Sequence, residues 1–150
     1  MSNKLSQVVT AATTTTLLWS INPSVQGRSV TFTATVSSLV ATRTGTVQFL
    51  NGTALLATEV LRYGTARFTT SQLPPGPNPI TAVYSGDPNN SGSISGIVNQ
   101  LVKAPTTITL TTSQDSSVYG EAVILTGEVT SSIGAPPDGE SVSFKRGSIC

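Results

Sequence analysis

The sequence has no histidine and a single cysteine, Cys150, among its 150 residues. Without histidine, the commonest general base is missing, and so are the catalytic triads built around it. One cysteine cannot form a disulfide within the chain, and metal sites built from paired cysteines are excluded as well. We therefore predict that the chain is not an enzyme and has no catalytic residues.

Charge is also scarce. Eight Lys and Arg residues and seven Asp and Glu residues give a net charge of +1, and no basic run is present. Nucleic-acid binders concentrate positive charge, so no nucleic-acid partner is predicted. No apolar stretch approaches the roughly 20 residues that span a bilayer. The opening MSNKLSQVVTAATTTT lacks the apolar core of a signal peptide, so neither membrane insertion nor a signal sequence is predicted in this segment.

Hydroxyl side chains are abundant, with 24 Thr and 20 Ser residues. Threonine is branched at its β-carbon and fits a pleated, half-hydrated surface better than a helix. Aromatic residues make up only 5% of the chain. This composition is typical of an all-β protein.

One segment occurs twice. SVQGRSVTFTATV occupies residues 24–36, and SVYGEAVILTGEV follows 93 positions later at residues 117–129. An offset of 95 then aligns Val47 and Phe49 with Val142 and Phe144. The registration predicts three segments: residues 1–11 as the last strand of a preceding repeat, residues 12–103 as a complete module, and residues 104–150 as the truncated first half of a second module.

Short alternating segments predict about seven strands in the complete module. Apolar residues alternate with threonine from Val30 to Val36, which indicates a strand with one buried face. Asn51-Gly52 indicates a hairpin after a second strand. The prolines within residues 74–79 predict a loop that cannot join a ladder. The side chains predicted to point inward are Val30, Phe32, Ala34, Val36, Val47, Phe49, Ala66, Phe68, Ile80, Ala82 and Tyr84.

The motifs PSVQGRSVTFTATVSS, GTVQFLNG, GTARFTTSQL and ITAVYSGDPNN, in this order, resemble the bacterial Ig-like repeat domains that occur in tandem in large surface and secreted proteins. The resemblance implies an immunoglobulin-like antiparallel β-sandwich and an extracellular or cell-surface location. It also places Ala34 and Ala82 where antibody domains have their disulfide, so packing alone must join the sheets.

The resemblance implies a structural spacer or stalk, related to adhesion, with neighbouring Ig-like repeats as its partners. Two alternatives stay open. One is a module that binds a surface glycan or protein through exposed aromatic residues, for which Trp19, Tyr63 and Tyr119 are the candidates. The other is an accessory domain of a secreted hydrolase.

No cofactor is predicted, and Ca²⁺ is the one metal for which a loop offers ligands. YSGDPNN brings Asp87, Asn89 and Asn90 together, and Ca²⁺ takes oxygen ligands of this kind. The alternative interpretation is that these side chains form the turn, through hydrogen bonds to the backbone.

Overall fold

The computed structural model describes residues 9–39, 42–134, 136 and 139–146. The chain divides into two compact units, Met1–Lys103 and Ala104–Cys150, called here the first and second unit. Most of the predicted remnant at residues 1–11, and Cys150, lie outside the described residues. None of the described residues forms a helix long and apolar enough to cross a membrane.

Eleven strands follow one another along the described chain. They are β1 (Thr13–Trp19), β2 (Ser24–Val25), β3 (Val30–Ser38), β4 (Thr46–Asn51), β5 (Ala54–Val60), β6 (Thr65–Thr70), β7 (Gly76–Tyr84), β8 (Ser93–Ile94), β9 (Val98–Lys103), β10 (Thr106–Thr112) and β11 (Leu125–Ser131). Seven longer strands of the first unit match the predicted number, and the two-residue strands β2 and β8 are additional.

Two sheets form the first unit. The smaller has the order β1-β3-β6, and the larger has the order β2-β9-β7-β4-β5 with β8 beside β7. All pairs are antiparallel except β2 with β9, which run parallel. The predicted all-β, immunoglobulin-like sandwich is confirmed, with this one parallel pair as a departure from a purely antiparallel arrangement.

The core lies between the inner faces of the two sheets. Strict alternation along β3 buries every second residue, because successive side chains of a strand point to opposite faces. Ten of the eleven residues predicted to point inward are buried, and Phe68 is partly buried against the same cluster. The further apolar members of the core are Leu17, Leu61, Leu73, Val98 and Val102.

Packing between aromatic and small side chains replaces a disulfide in this core. Ala34 and Ala82 are both fully buried, one in each sheet. The rings of Phe49 and Phe68 come from the two opposing sheets, and their centroids lie 5.6 Å apart at an interplanar angle of 33°. Such a tilted aromatic pair adds about 0.5–1.5 kcal/mol beyond the area that it buries.

The expectation that residues 74–79 form a loop is wrong from Gly76 onward. Pro77 and Pro79 lie inside β7, opposite Leu101 and Asn99 of β9. The Pro79 carbonyl accepts a hydrogen bond from the Gly52 N–H, which places the polar groups of Pro79 on the side of the β4–β5 hairpin rather than of β9. An N–H at either proline position would therefore point away from β9. Its absence costs no hydrogen bond of the β7–β9 ladder, so proline is tolerated at both positions.

Asn78, between the two prolines, holds the start of β7 in place. Its side-chain amide donates to the carbonyls of Pro74 and Gly76, at 3.0 Å each, and its Oδ1 accepts from the amide of Asn51 at 2.8 Å. Because Asn78 is almost fully buried, these bonds satisfy polar atoms that water cannot reach.

The hairpin predicted at Asn51-Gly52 is present between β4 and β5, displaced by one residue. Asn51 is the last residue of β4 and pairs with Ala54, so the turn residues are Gly52 and Thr53. Gly52 has φ 61°, a left-handed conformation that glycine adopts without steric cost.

In the second unit, β10 and β11 pair in an antiparallel ladder from Thr106↔Ser131 to Thr112↔Leu125. Each of these seven pairs is the corresponding pair of β1 and β3 moved by 93 positions. The alignment of Val142 and Phe144 with Val47 and Phe49 of β4 predicts a third strand here, but residues 139–146 join no ladder. Instead, Val142 and Phe144 lie over Gly127, so that a Cβ on this glycine would meet them at 3.4–3.5 Å.

Candidate functional sites

The best-formed polar cluster surrounds Asp87, in the loop that follows β7. The carboxylate Oδ1 accepts hydrogen bonds from the backbone N–H groups of Asn89 at 2.8 Å and Asn90 at 2.7 Å. Oδ2 accepts from the backbone N–H of Thr44 at 2.8 Å and from the Tyr84 hydroxyl at 3.2 Å. Asp87 therefore joins its own loop to the segment before β4, which is 43 residues away in sequence.

Asn90 extends the cluster toward β3. Its side-chain amide donates to both carboxylate oxygens of Asp87, at 3.0 Å each, and to the carbonyl of Thr42 at 3.1 Å. Its Oδ1 accepts from the Ser38 hydroxyl at 2.5 Å. Asn90 is almost fully buried, and these partners satisfy its side chain there.

Hydrogen bonding holds the pKa of Asp87 well below its ordinary value of 3.8. The backbone N–H of Thr44 is the largest cause, and the amide groups of Asn90 and Asn89 lower the pKa further against the effect of desolvation. The nearby Tyr84 hydroxyl has a raised pKa, first because it is buried and then because it faces the Asp87 carboxylate. The carboxylate is thus the charged centre of a network of donors.

The structure brings the three candidate Ca²⁺ ligands into one loop, but only two of their side chains meet. Asp87 and Asn90 bond to each other, whereas Asn89 contributes its backbone N–H to Asp87. The carboxylate oxygens of Asp87 accept hydrogen bonds from N–H groups, which is the turn-forming role given above as the alternative to Ca²⁺ binding. Within the described ranges, no three His, Cys, Asp or Glu side chains are grouped to hold a metal. The Ca²⁺ assignment stays a prediction.

Tyr63 occupies an uncommon backbone position. Tyr63 and Gly64 are the two turn residues between Arg62 and Thr65, which exchange backbone hydrogen bonds of 2.8 and 2.9 Å. Tyr63 has φ 51°, although such turns favour Asn, Asp or Gly at this place. Its side chain is fully exposed, at 102% of the reference area. Beside it, Thr42, Arg43, Tyr63 and Gly64 line a cleft of about 470 Å³.

The other two candidate aromatics lie elsewhere. Trp19 is the last residue of β1 and is 45% exposed. Trp19 pairs with Phe32 near the start of β3, whereas Thr65, two residues after Tyr63, pairs with Thr35 near its end, so Trp19 and Tyr63 do not share one loop cluster. Tyr119 belongs to the second unit and is fully exposed. A binding role for these residues stays a prediction.

Sequence reasoning missed Thr42, Arg43 and Thr44, the segment that joins the two features just described. Thr44 bonds to Asp87, while Arg43 lies against Gly64, where a Cβ would come within 2.7 Å of its guanidinium. No local pattern marks this segment, because its partners are brought to it only by the packing of β4 against β7.

Asp87→Asn should lower the stability of the first unit at neutral pH, because an amide cannot replace a carboxylate that accepts bonds from several N–H groups. The folded-state pKa of Asp87 lies below the unfolded-state value of 3.8, so its contribution is complete above that pH and is lost as the pH falls toward the folded value. The stability difference between the native chain and the variant should therefore shrink below pH 3.8. Unfolding can be followed by the fluorescence of Trp19, the single tryptophan.

Glu59→Gln is the matched control, since it removes one negative charge from the same unit at β5. It should leave stability nearly unchanged at neutral pH. An Asp87→Asn penalty that stays constant down to the lowest pH, or no penalty at all, would show that the carboxylate charge does not support this loop.

Comparison with known proteins places the first unit in a family. The family model described as bacterial Ig-like domain (group 3) matches residues 19–103, more than half of the chain. No curated protein matches the chain significantly. Among solved structures, the fibronectin(III)-like modules of Clostridium thermocellum CbhA are similar, with 20% sequence identity and a TM-score of 0.48 over 60% of this chain and 96% of that chain. By the family match, the chain belongs to the bacterial Ig-like domains of group 3.

Proposed function

We propose that the chain is a non-catalytic Ig-like module that acts as a structural spacer in a cell-surface or secreted bacterial protein. Its partners are neighbouring modules of the same polypeptide, and the protein that it supports serves adhesion. The proposal rests on one observation above others, which is that the second unit repeats the backbone geometry of β1, β3 and the turn between them.

The repetition extends beyond the ladder of β10 and β11. The turn before β3 has Gly27 at φ 86° and a bond from the Arg28 N–H to the Val25 carbonyl. The turn before β11 has Gly120 at φ 88° and a bond from the Glu121 N–H to the Val118 carbonyl. Each of these residues is 93 positions from its counterpart. Repetition of hydrogen bonds as well as residue types supports two consecutive modules of one kind.

A second repeated contact lies next to each turn. Ser20 donates its N–H to the Thr31 carbonyl at 3.0 Å, and its hydroxyl accepts from the Thr31 N–H at 3.0 Å. Ser113 makes the same two bonds to Ile124, at 2.8 and 3.0 Å. The same serine thus fixes the start of the same strand in both units.

The connection between the units is short. Only Ala104 and Pro105 separate the end of β9 from the start of β10. Proline fixes its own φ and restricts the residue before it, so few backbone conformations are open to this linker. A spacer keeps its two ends at a fixed separation only when its linkers are stiff. The composition of this two-residue linker favours stiffness.

Pro105→Gly should broaden the distribution of distances between the two units, because glycine removes the restriction on φ. The measurement is single-molecule energy transfer between dyes on Thr53→Cys and Ser116→Cys, in a chain that also carries Cys150→Ser. The native linker should give a narrow distribution, and the glycine variant should give a distribution about as broad as a flexible coil allows.

Ala104→Ser, which changes the same linker without relaxing Pro105, is the control and should keep the narrow distribution. A native chain whose distribution already equals that of the glycine variant would contradict a stiff spacer.

One observation favours binding as a second candidate function. Tyr63 is fully exposed in a left-handed conformation, beside a cleft that Arg43 also lines. A residue with a Cβ costs about 1–2 kcal/mol in that conformation, and strained, exposed side chains are typical of ligand contacts. A fully exposed aromatic ring beside a cleft suits contact with a glycan or a protein.

Tyr63→Asn should raise the stability of the first unit by about 1 kcal/mol, because asparagine tolerates positive φ better than tyrosine. If Tyr63 binds a glycan, the same variant should lose binding on an array of neutral and acidic glycans, while Trp19→Ala should retain it. Absence of glycan binding by the native chain would contradict this second candidate function.

The accessory-domain alternative predicts a hydrolase domain in the same polypeptide as this module. The coding sequence on either side of this segment tests it directly.

A further inference from the structure

The outer edge of β9 lies beside a strand that is much shorter than β9 itself. β9 has six residues and lies between β7 and β2, whereas β2 has only two. Ser24 is opposite Val102, and Val25 is opposite Lys103. The first part of β9, residues 98–101, therefore has no residue of β2 opposite it. An uncovered strand edge is a template for pairing with another chain.

The side chain of Asn22 covers this part of the edge. Its Nδ2 donates to the Asn99 carbonyl at 2.9 Å, and its Oδ1 accepts from the Leu101 N–H at 2.9 Å. The two contacted residues lie immediately before and after Gln100 on β9. One side-chain amide thus bonds to both outward-pointing backbone groups on this part of the strand.

These are the two bonds that a backbone residue makes in a parallel ladder. Such a residue donates to the residue before its opposite neighbour and accepts from the residue after it. Because Ser24 is opposite Val102, the same register places position 22 opposite Gln100. The Asn22 side chain therefore makes the bonds that its own backbone would make if β2 began two residues earlier.

The same pattern continues beyond the other end of β2, where the Gln26 N–H donates to the Lys103 carbonyl at 2.9 Å. Asn22 itself lies where the chain passes from β1 in the smaller sheet to β2 in the larger sheet. Its side chain reaches the edge of β9 before the backbone has joined the larger sheet. Partners for the edge thus extend from Asn99 to Lys103, although β2 has only two residues.

Exposed apolar side chains flank this edge. Leu101 is 41% exposed, Val25 is 48% exposed, and Ile97, just before β9, is 66% exposed. A strand edge with such neighbours favours pairing between molecules, and native proteins prevent this by covering or charging the edge. Two identical β9 edges can pair with each other around a twofold axis, so a second copy of the chain is a suitable partner for an uncovered edge.

We infer that the Asn22 side chain acts as a surrogate strand residue, which closes the outer edge of β9 against a strand from a second copy of this chain. A side-chain amide suits this role because it carries both a donor and an acceptor, as a peptide group does. The inference rests on contacts within the first unit and does not depend on the proposed spacer role.

Asn22→Ala in the full chain tests this role by amide hydrogen exchange and sedimentation. At low protein concentration, exchange at the Leu101 amide should be about tenfold faster or more, because this N–H loses its acceptor. At high concentration the variant should dimerise more than the native chain, and the Leu101 amide should regain protection. The native chain should keep this amide protected at every concentration.

Two further variants separate the polar atoms of Asn22 from its volume. Asn22→Leu has a similar volume but neither polar atom, so it should behave as the alanine variant does. Asn22→Asp introduces the residue found 93 positions later, at position 115. It keeps the acceptor for Leu101 and adds a charge to the edge, so it should keep the amide protected and should not increase dimerisation.

Asn99→Ala is the matched control, since it removes an exposed side chain of the same edge and leaves the Asn99 carbonyl in place. It should change neither Leu101 exchange nor dimerisation. Exchange at the Phe49 amide, in the middle of the same sheet, verifies that each variant is folded.

Unchanged Leu101 exchange in both Asn22→Ala and Asn22→Leu would overturn the inference. So would folded variants that dimerise no more than the native chain, or equal dimerisation of Asn99→Ala. Loss of Phe49 protection in both variants would overturn it as well, because Asn22 would then be required for folding rather than for closing an edge.

Discussion

Burial of one alternating strand is the constraint on which the first unit depends. β3 presents Val30, Phe32, Ala34 and Val36 to the second sheet, and none of these residues is more than 1% exposed. Full burial of a valine or phenylalanine side chain contributes about 1.5–3 kcal/mol. Without a disulfide, the two sheets are joined by such contacts, by the Phe49–Phe68 pair and, at the margin, by hydrogen bonds such as those of Thr13 and Thr15 in β1 to Ser93 in β8. The polar cluster of Asp87 then fixes a loop on a sandwich that apolar packing already holds together.

Sequence patterns predicted the parts of the fold in which side-chain periodicity decides the outcome. Alternation from Val30 to Val36 predicts a half-buried strand because the period of a strand is two residues. The prediction that Pro77 and Pro79 lie in a loop is wrong, because the effect of a missing N–H depends on which edge of the strand it faces. That edge is set by pairing with β9, which no local pattern encodes.

The candidate site was predicted less well for a related reason. YSGDPNN correctly indicated a turn stabilised by Asp and Asn side chains, and Asp87 does accept bonds from the N–H groups of Asn89 and Asn90. Thr44, the partner that lowers its pKa most, is distant in sequence and could not be identified before the packing of β4 against β7 was known. Tyr63 was singled out as an aromatic residue, but its left-handed conformation is visible only in the structure.

The two units show what a sandwich needs beyond strand sequences. The same ladder, turn and serine contacts form in both, so local residue patterns are sufficient for a two-stranded element of this kind. Among the residues that the structure describes, a second sheet covers that element in the first unit but not in the second. A bacterial Ig-like module therefore consists of a local framework, which the repeated segment builds, and a cover that later strands supply.

Native-state hydrogen exchange at matched amides tests this account most directly. The amides of Thr33 and Thr35 in β3 face β1. Their counterparts in the repeat, Thr126 and Glu128 in β11, face the equivalent strand β10. If the second sheet supplies the stability, the β3 amides should exchange at least about a thousand times more slowly than the β11 amides. Equal protection of the two sets would contradict the account, because the two-stranded element would then be stable without its cover.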